Sequence, residues 1–327
     1  VWWNTIRQAK NNYRIAEQFD RQVITNIIRN VQFTYFNYFK ASQLLVVAQS
    51  NLMSSQQQLA LAEQKYELGS AKKTDLLKAE VRFGQAKVDV INNEANLQNA
   101  YRTLKNAMGL IGSDQNFSIE EVEIPLEIIP DFETGFELIQ KFNPSVKAKQ
   151  YQITSAELSA KIAKGSRLPT ISANASYSGN AETLGHAIAN SYNDQKRFNT
   201  GLSISIPIFS GNSISTRIQQ AKIAVNKQES EYLTQLQDLS VQLQSSLDQL
   251  NNYKEIIPIN ETILVSADED LKLAQVRYTH GSTIILEVLD AQVSVVRARS
   301  SLIRSKYDAY IEQANLKALL GTLDTDK

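Results

Sequence analysis

Glu287 and Asp290 stand three residues apart at the start of a predicted helix, so they share one helical face. Carboxylates placed this way have two readings. They can offset the positive end of the helix macrodipole. Repeated around a symmetry axis, they can instead form acidic rings that favour cations and raise the barrier to anions. Other chemistry is scarce. With 0 cysteines, disulfides, thiolate zinc sites and cysteine nucleophiles are all excluded. The 2 histidines are His186, in an expected surface loop between strands, and His280, beside Gly281; they are not expected to share a metal ion. No phosphate-cradling glycine loop and no nucleophile–base spacing is found, so the chain reads as a non-enzyme without cofactor or metal. Asp268-Glu269-Asp270 and Glu120-Glu121 read as solvated charge runs. The 34 basic and 34 acidic side chains cancel, which argues against a nucleic-acid binder.

The elements that must position these residues come from an internal repeat. A shift of 212 residues aligns two long stretches without a gap. Leu61, Ala62, Tyr66, Gly69 and Ser70 fall on Leu273, Ala274, Tyr278, Gly281 and Ser282. Leu77, Ala79, Val81, Ala86, Leu104 and Gly109 fall on Leu289, Ala291, Val293, Ala298, Leu316 and Gly321. Two copies of a large unit follow, with residues 113–212 between the matched blocks. The first copy's counterpart of that block would precede Val1 by about 100 residues, so the front of the protein is expected to be missing.

Each copy opens with a very long helix. Leu236, Leu243, Leu250, Ile257, Leu264, Leu271 and Tyr278 recur every seven residues, as do Ile24, Val31, Tyr38, Leu45, Leu52, Leu59 and Tyr66. That period keeps one seam facing a partner helix. A helix from Val1 to Leu68 would be about 100 Å long at 1.5 Å per residue. Pro258 interrupts the second seam without shifting its register and predicts a local kink. Gly69 and Gly281 end the long helices, and second helices begin near Thr74 and Ile284 and close at Gly109 and Gly321. Phe83, Val90, Leu97 and Leu104 form one line on the return helix, beside a small-residue line of Ala79, Ala86, Ala100 and Ala107. Gln56–Gln58 and Gln242–Ser246 read either as a solvated face or as the water-lined inside of a tube.

Between the copies the pattern changes. Residues 112–135 read as irregular or short-stranded, with an apolar stretch at Val122–Ile129. A helix then follows Asn143-Pro144-Ser145, capped by Asn143 or Ser145. In Leu168–Tyr177 the odd positions Ile171, Ala173, Ala175 and Tyr177 are apolar and the even ones polar; Phe198–Ile208 alternates in the opposite phase. Each run has the length of a tilted barrel strand, although an amphipathic hairpin on a soluble core gives the same pattern.

The residues Tyr278-Thr-His-Gly281-Ser, Glu287-Val-Leu-Asp290-Ala291-Gln292, the first-copy tip Tyr66-Glu-Leu-Gly69 with Thr74-Asp75-Leu-Leu-Lys-Ala79, Asn143-Pro144-Ser145, Arg167-Leu168-Pro169 and Ile206-Pro207-Ile208-Phe209-Ser210-Gly211 together resemble the TolC-type outer-membrane channels of Gram-negative bacteria, the outer membrane factor family. The resemblance covers essentially the whole chain. It implies a mostly α fold with a membrane β-barrel portion. Long coiled-coil hairpins would form a trimeric α-barrel, continuous with a 12-stranded β-barrel that takes four strands per chain, two of them present here. Residues 1–111 would be the first hairpin (tip near 69–75) and 112–166 an equatorial linker. Residues 167–211 would be a strand pair with its extracellular loop, 212–322 the second hairpin (tip near 281–287), and 323–327 a tail.

The resemblance further implies a homotrimer contacting outer-membrane lipid, a periplasmic membrane-fusion adaptor and an inner-membrane transporter, exporting drugs or secreted proteins. It assigns Glu287 and Asp290 to a gate and selectivity ring, and Gly69, Ser70, Gly281 and Ser282 to adaptor-contacting turns. Asp75 and Tyr278 match positions that hold the tip closed. Here the chain departs from the pattern: Thr283 stands where a basic residue would latch the first-copy acid, and Lys72 or Lys73 could substitute. The alternative is a periplasmic coiled-coil adaptor or scaffold, which would carry a glycine-punctuated β domain that is not visible between the hairpins.

Overall fold

A long helix, α1 (Trp2–Glu67), is followed by α2 (Lys73–Ala107), α3 (Phe132–Phe142), α4 (Pro144–Gly165), β1 (Thr170–Ser178), β2 (Arg197–Ser205), α5 (Ser213–Thr279) and α6 (Ile285–Leu320). The computed structural model describes residues 2–110, 119–121, 128–178 and 197–323. The expectations for most of the Val122–Ile129 stretch, for His186 and for nearly all of the tail fall outside these residues. Contacts divide the chain into two units, one made of the chain up to Glu17 with Ala148–Thr234, the other of Gln18–Lys147 with Gln235 onward. Among the described residues, no helix is long and apolar enough to cross a membrane.

In the strand-bearing unit, β1 and β2 pair antiparallel over nine residues each. Opposite partners are Ile171–Ile204, Ala173–Leu202 and Tyr177–Phe198 on one face, and Ser172–Ser203, Asn174–Gly201 and Ser176–Asn199 on the other. The alternation in the sequence therefore becomes one apolar and one polar face, because side chains switch sides at every residue. Every residue of both strands is exposed.

In the hairpin unit the predicted small-residue line of α2 is buried at Ala79 and Ala86 and half-buried at Ala100 and Ala107, and Leu104 is the buried member of the adjacent line. The α5 seam is also confirmed at Leu243, Leu250 and Tyr278. In α1 the buried sector lies three residues round from the predicted seam. Ala48, Ser55 and Ala62 are buried, while Ile24 and Tyr66 remain 42% and 40% exposed. α1 packs on α2 through Tyr38 and Tyr101 and on α6 through Phe36 and Tyr310, so its buried sector lies between two neighbours and the seam residues lie at the edge of that sector. Gln58 and Ser246, which read as part of a solvated or lumen-facing surface, are buried. The Ser246 hydroxyl donates to the Glu312 carboxylate. α5 continues through Pro258, whose carbonyl accepts a hydrogen bond from the Thr262 hydroxyl at 3.0 Å.

One expectation for the middle of the chain is corrected, and another, the exposed pair Glu120-Glu121, is extended. A helix, α3, begins at Phe132, where irregular chain was expected through 135. Asp131 caps it through the Thr134 N–H, and Phe132 and Phe136 stack at 5.9 Å. Gly135 hid the helix from the sequence pattern, yet it is what allows close packing: an added Cβ would come within 3.2 Å of Leu243. Glu121 is more than a solvated charge. It accepts hydrogen bonds from the Tyr307 hydroxyl and, at 3.3 Å, from Gln43, while the Glu120 carbonyl accepts one from Tyr35 at 2.9 Å. Burial, reinforced by the bond to Glu121, pushes the Tyr307 hydroxyl well above the ordinary tyrosine range.

Of the two candidate caps of α4, Asn143 is the one used. Its Oδ1 accepts from the backbone N–H of Ser145 at 2.9 Å and of Val146 at 3.3 Å. Its Nδ2 donates to the Leu319 carbonyl at 2.8 Å, tying the start of α4 to the last turn of α6. Gly321 completes this joint with φ +74°, and an added Cβ would meet the Phe142 backbone at 2.6 Å.

Candidate functional site: the paired helical turns

The two long helices end in the same motif. The Gly69 N–H donates to the Tyr66 carbonyl at 2.9 Å and the Ser70 N–H to the Lys65 carbonyl at 2.8 Å. In the second copy, Gly281 donates to Tyr278 at 3.1 Å and Ser282 to Arg277 at 2.8 Å. These bonds satisfy carbonyls that the helix itself leaves free, and they require a left-handed residue, supplied by Gly69 at φ +72° and Gly281 at φ +73°. Beneath the turns lies a buried cluster of Ala274, Tyr278, Ile285, Val288, Leu289 and Ala291, with Leu61 and Leu271 against it.

The same charges are used differently in the two copies. By the 212-residue offset, Lys65 corresponds to Arg277 and Asp75 to Glu287. In the second copy the pair closes on itself: Arg277 forms an ion pair with Glu287, whose other oxygen accepts a hydrogen bond from the Thr283 hydroxyl. In the first copy Lys65 crosses to the other hairpin. Its ammonium donates to the Tyr278 carbonyl at 2.5 Å and to that of Thr279 at 3.4 Å, and lies 4.4 Å from the centre of the Tyr278 ring. The free carbonyls of a helix C-terminus attract a cation. Asp75 is left without an ion pair among the described residues.

Asp75 and Tyr278 are nevertheless neighbours. Burial first, then the Asp75 charge, holds the Tyr278 phenol above its ordinary pKa. That hydroxyl is buried and has no hydrogen-bond partner among the described residues. Lys73 lies over the Tyr66 ring at 5.2 Å, and neither it nor Lys72 forms an ion pair with Asp75. Thr283 is committed to Glu287 rather than to the first-copy acid. Asp290 is the more open of the two ring candidates: its side chain is 65% exposed, and Arg82 of α2 approaches it at 4.0 Å. His280 is exposed in the second turn.

The cross-hairpin link through Lys65 escaped the sequence reading. Its signal was available: both long helices carry one basic residue in the last turn, at positions related by the repeat.

The matched family model is described as outer membrane efflux protein and aligns with residues 1–110 and 137–322. The outer membrane protein TolC of Escherichia coli (strain K12) is 25% identical, over 95% of this chain and 64% of its own length. The cation efflux system protein CusC of the same strain is 23% identical, over 97% of this chain and 69% of its own. The chain thus spans about two thirds of the length of these curated relatives. Among solved structures, the outer-membrane channel OprN superposes with a TM-score of 0.84 at 18% identity, covering 98% of this chain and 71% of that one.

Proposed function

The chain belongs to the outer membrane efflux protein family, and from that premise we propose that three copies form a passive exit duct in the outer membrane of a Gram-negative bacterium. The observation that carries this is the β1–β2 ribbon, with its sorted faces and, among the described residues, no further strand at either edge. A two-stranded ribbon is marginal in water, whereas about nine residues suffice for a tilted strand to cross a bilayer. A barrel of twelve strands takes four from each of three chains, and β1 and β2 are two of those four. Residues 1–111 and 212–322 supply the hairpins of an α-barrel reaching into the periplasm. Residues 112–166 and 323–327 belong to its equator, and 167–211 to the barrel.

At the helical tip, Gly69, Ser70, Gly281 and Ser282 form the turns that meet a periplasmic adaptor, with an inner-membrane transporter beyond it. Glu287 and Asp290 line the narrow end, and Asp290 carries most of the acidic field because Arg277 already offsets Glu287. The latch is made by Asp75, Tyr278 and Lys65, while Thr283 steadies Glu287; Lys72 and Lys73 are a basic fringe on the first turn. The protein performs no covalent chemistry and needs no cofactor; drugs or secreted proteins pass through the lumen. Extraction of the full-length protein from outer membranes tests this reading. Heat-resistant trimers released only by detergent support it, and a monomer in the soluble periplasmic fraction would overturn it in favour of a coiled-coil adaptor.

A further inference from the structure

The neutral total conceals a division. The strand-bearing unit holds 12 of the 34 basic side chains and 6 of the 34 acidic ones, a net +6, leaving −6 for the hairpin unit. Hydrogen bonds show where in the strand-bearing unit the positive charge gathers. Gln8 Nε2 donates to Ser159 Oγ at 2.6 Å and Asn11 Nδ2 to the carbonyl of Tyr151, in the first half of α4, at 2.6 Å, so α1 runs antiparallel to α4 and its first turn points to the end of α4. Arg167, just past α4, donates to Ser215 Oγ at 3.1 Å, while Lys149 near the start of α4 pairs with Glu231 farther along α5 at 2.8 Å, so the two helices run antiparallel with the end of α4 beside the start of α5. Three helix ends therefore meet where β1 and β2 leave the helices.

Arg7, Lys10, Lys161, Lys164, Arg167 and Arg217 sit on these ends, all exposed and none in an ion pair among the described residues. Glu157 is the one carboxylate on the same turns; Glu231, farther along α5, is already paired. A second observation comes from the same level. Trp2 and Trp3, at 66% and 69% exposure, pack edge to face at 4.8 Å on the first turn of α1. Exposed tryptophan beside an apolar ribbon is the composition of a membrane–water boundary.

We propose that these side chains form a basic collar that seats on anionic phospholipid headgroups at the foot of the β-strands, with Trp2 and Trp3 at headgroup depth. This rests on the membrane-channel reading and adds a lipid preference to it. Phosphate-bearing headgroups complement the collar, and each Lys or Arg held near such a surface contributes up to about a fivefold gain in binding. The attraction weakens as salt shortens the Debye length.

Reconstitution of the full-length trimer tests the collar, comparing phosphatidylcholine vesicles with vesicles in which about a third of the lipid is phosphatidylglycerol. The collar predicts at least about tenfold more protein inserted into the anionic vesicles at low salt, a preference that shrinks at high salt. Replacing Lys10→Gln, Lys161→Gln, Lys164→Gln and Arg217→Gln, none of which has a hydrogen bond to lose among the described residues, should reduce it to about twofold while the heat-resistant trimer persists. Equal insertion of the wild type into both vesicles, or an unchanged preference in the quadruple variant, overturns the collar and leaves the channel reading standing. Insertion into neither overturns both.

Discussion

Lys65→Met removes a charge that crosses from the first hairpin to the end of the second hairpin's long helix. In the native chain its ammonium donates to the Tyr278 carbonyl at 2.5 Å and stacks on the Tyr278 ring at 4.4 Å. A hydrogen bond from a charged donor contributes about 1.5–3 kcal/mol, a cation–π contact about 0.5–1 kcal/mol at an accessible site, and a cation at a helix C-terminus about 0.3–1 kcal/mol. These contributions overlap, and Lys65 is only half-buried, so the lower end applies: about 2 kcal/mol per protomer. That corresponds to about a thirtyfold shift in the equilibrium between joined and separated hairpin ends. Methionine keeps the stem packed, so the change isolates the charge. Single-channel recording of the reconstituted trimer should find the open state populated far more often in Lys65→Met, while Lys65→Arg remains close to wild type. Unchanged opening in Lys65→Met, or equal opening in both variants, would refute the assignment of the link.

Three further outcomes are expected. Arg277→Ala uncovers the Glu287 carboxylate and should raise cation preference in bilayer recordings, opposite in sign to Asp290→Ala. Tyr278 keeps its proton in the folded tip at pH values where the unfolded chain has lost it. Its contribution is therefore complete below about pH 10 and is lost as pH rises through the higher folded value. Thermal unfolding followed by circular dichroism should show a steeper alkaline loss in wild type than in Tyr278→Phe. Asn143→Ala deletes the cap of α4 and strands the Leu319 carbonyl, so the hairpin unit should lose about 1–3 kcal/mol in denaturant unfolding, with Asn143→Asp restoring the cap but not the bond to Leu319.

Much of the fold was legible because it is periodic. The 212-residue repeat located both tip turns and both return helices, and period-two alternation located β1 and β2. What escaped has physical reasons. The small residues Ala48, Ser55 and Ala62 mark the buried sector of α1, but a search for large apolar side chains passes over them. Helix α3 carries a glycine that is unfavourable locally and is needed against Leu243. At the tip, the acids and Tyr278 were identifiable by position, but their partners were not. Lys65 and Arg277 are equivalent in sequence, and only the folded chain shows that one reaches across to the other hairpin while the other folds back. The basic collar was invisible for a different reason: a zero net charge averages over two units of opposite sign.

The ion selectivity of the reconstituted trimer bears most directly on the central claim, that three copies of this tip form an acidic constriction in an exit duct. Reversal potentials across a planar bilayer under a salt gradient should report a cation-preferring pore, with the preference falling sharply in Glu287→Ala combined with Asp290→Ala. A pore of unchanged selectivity in the double variant would contradict the account.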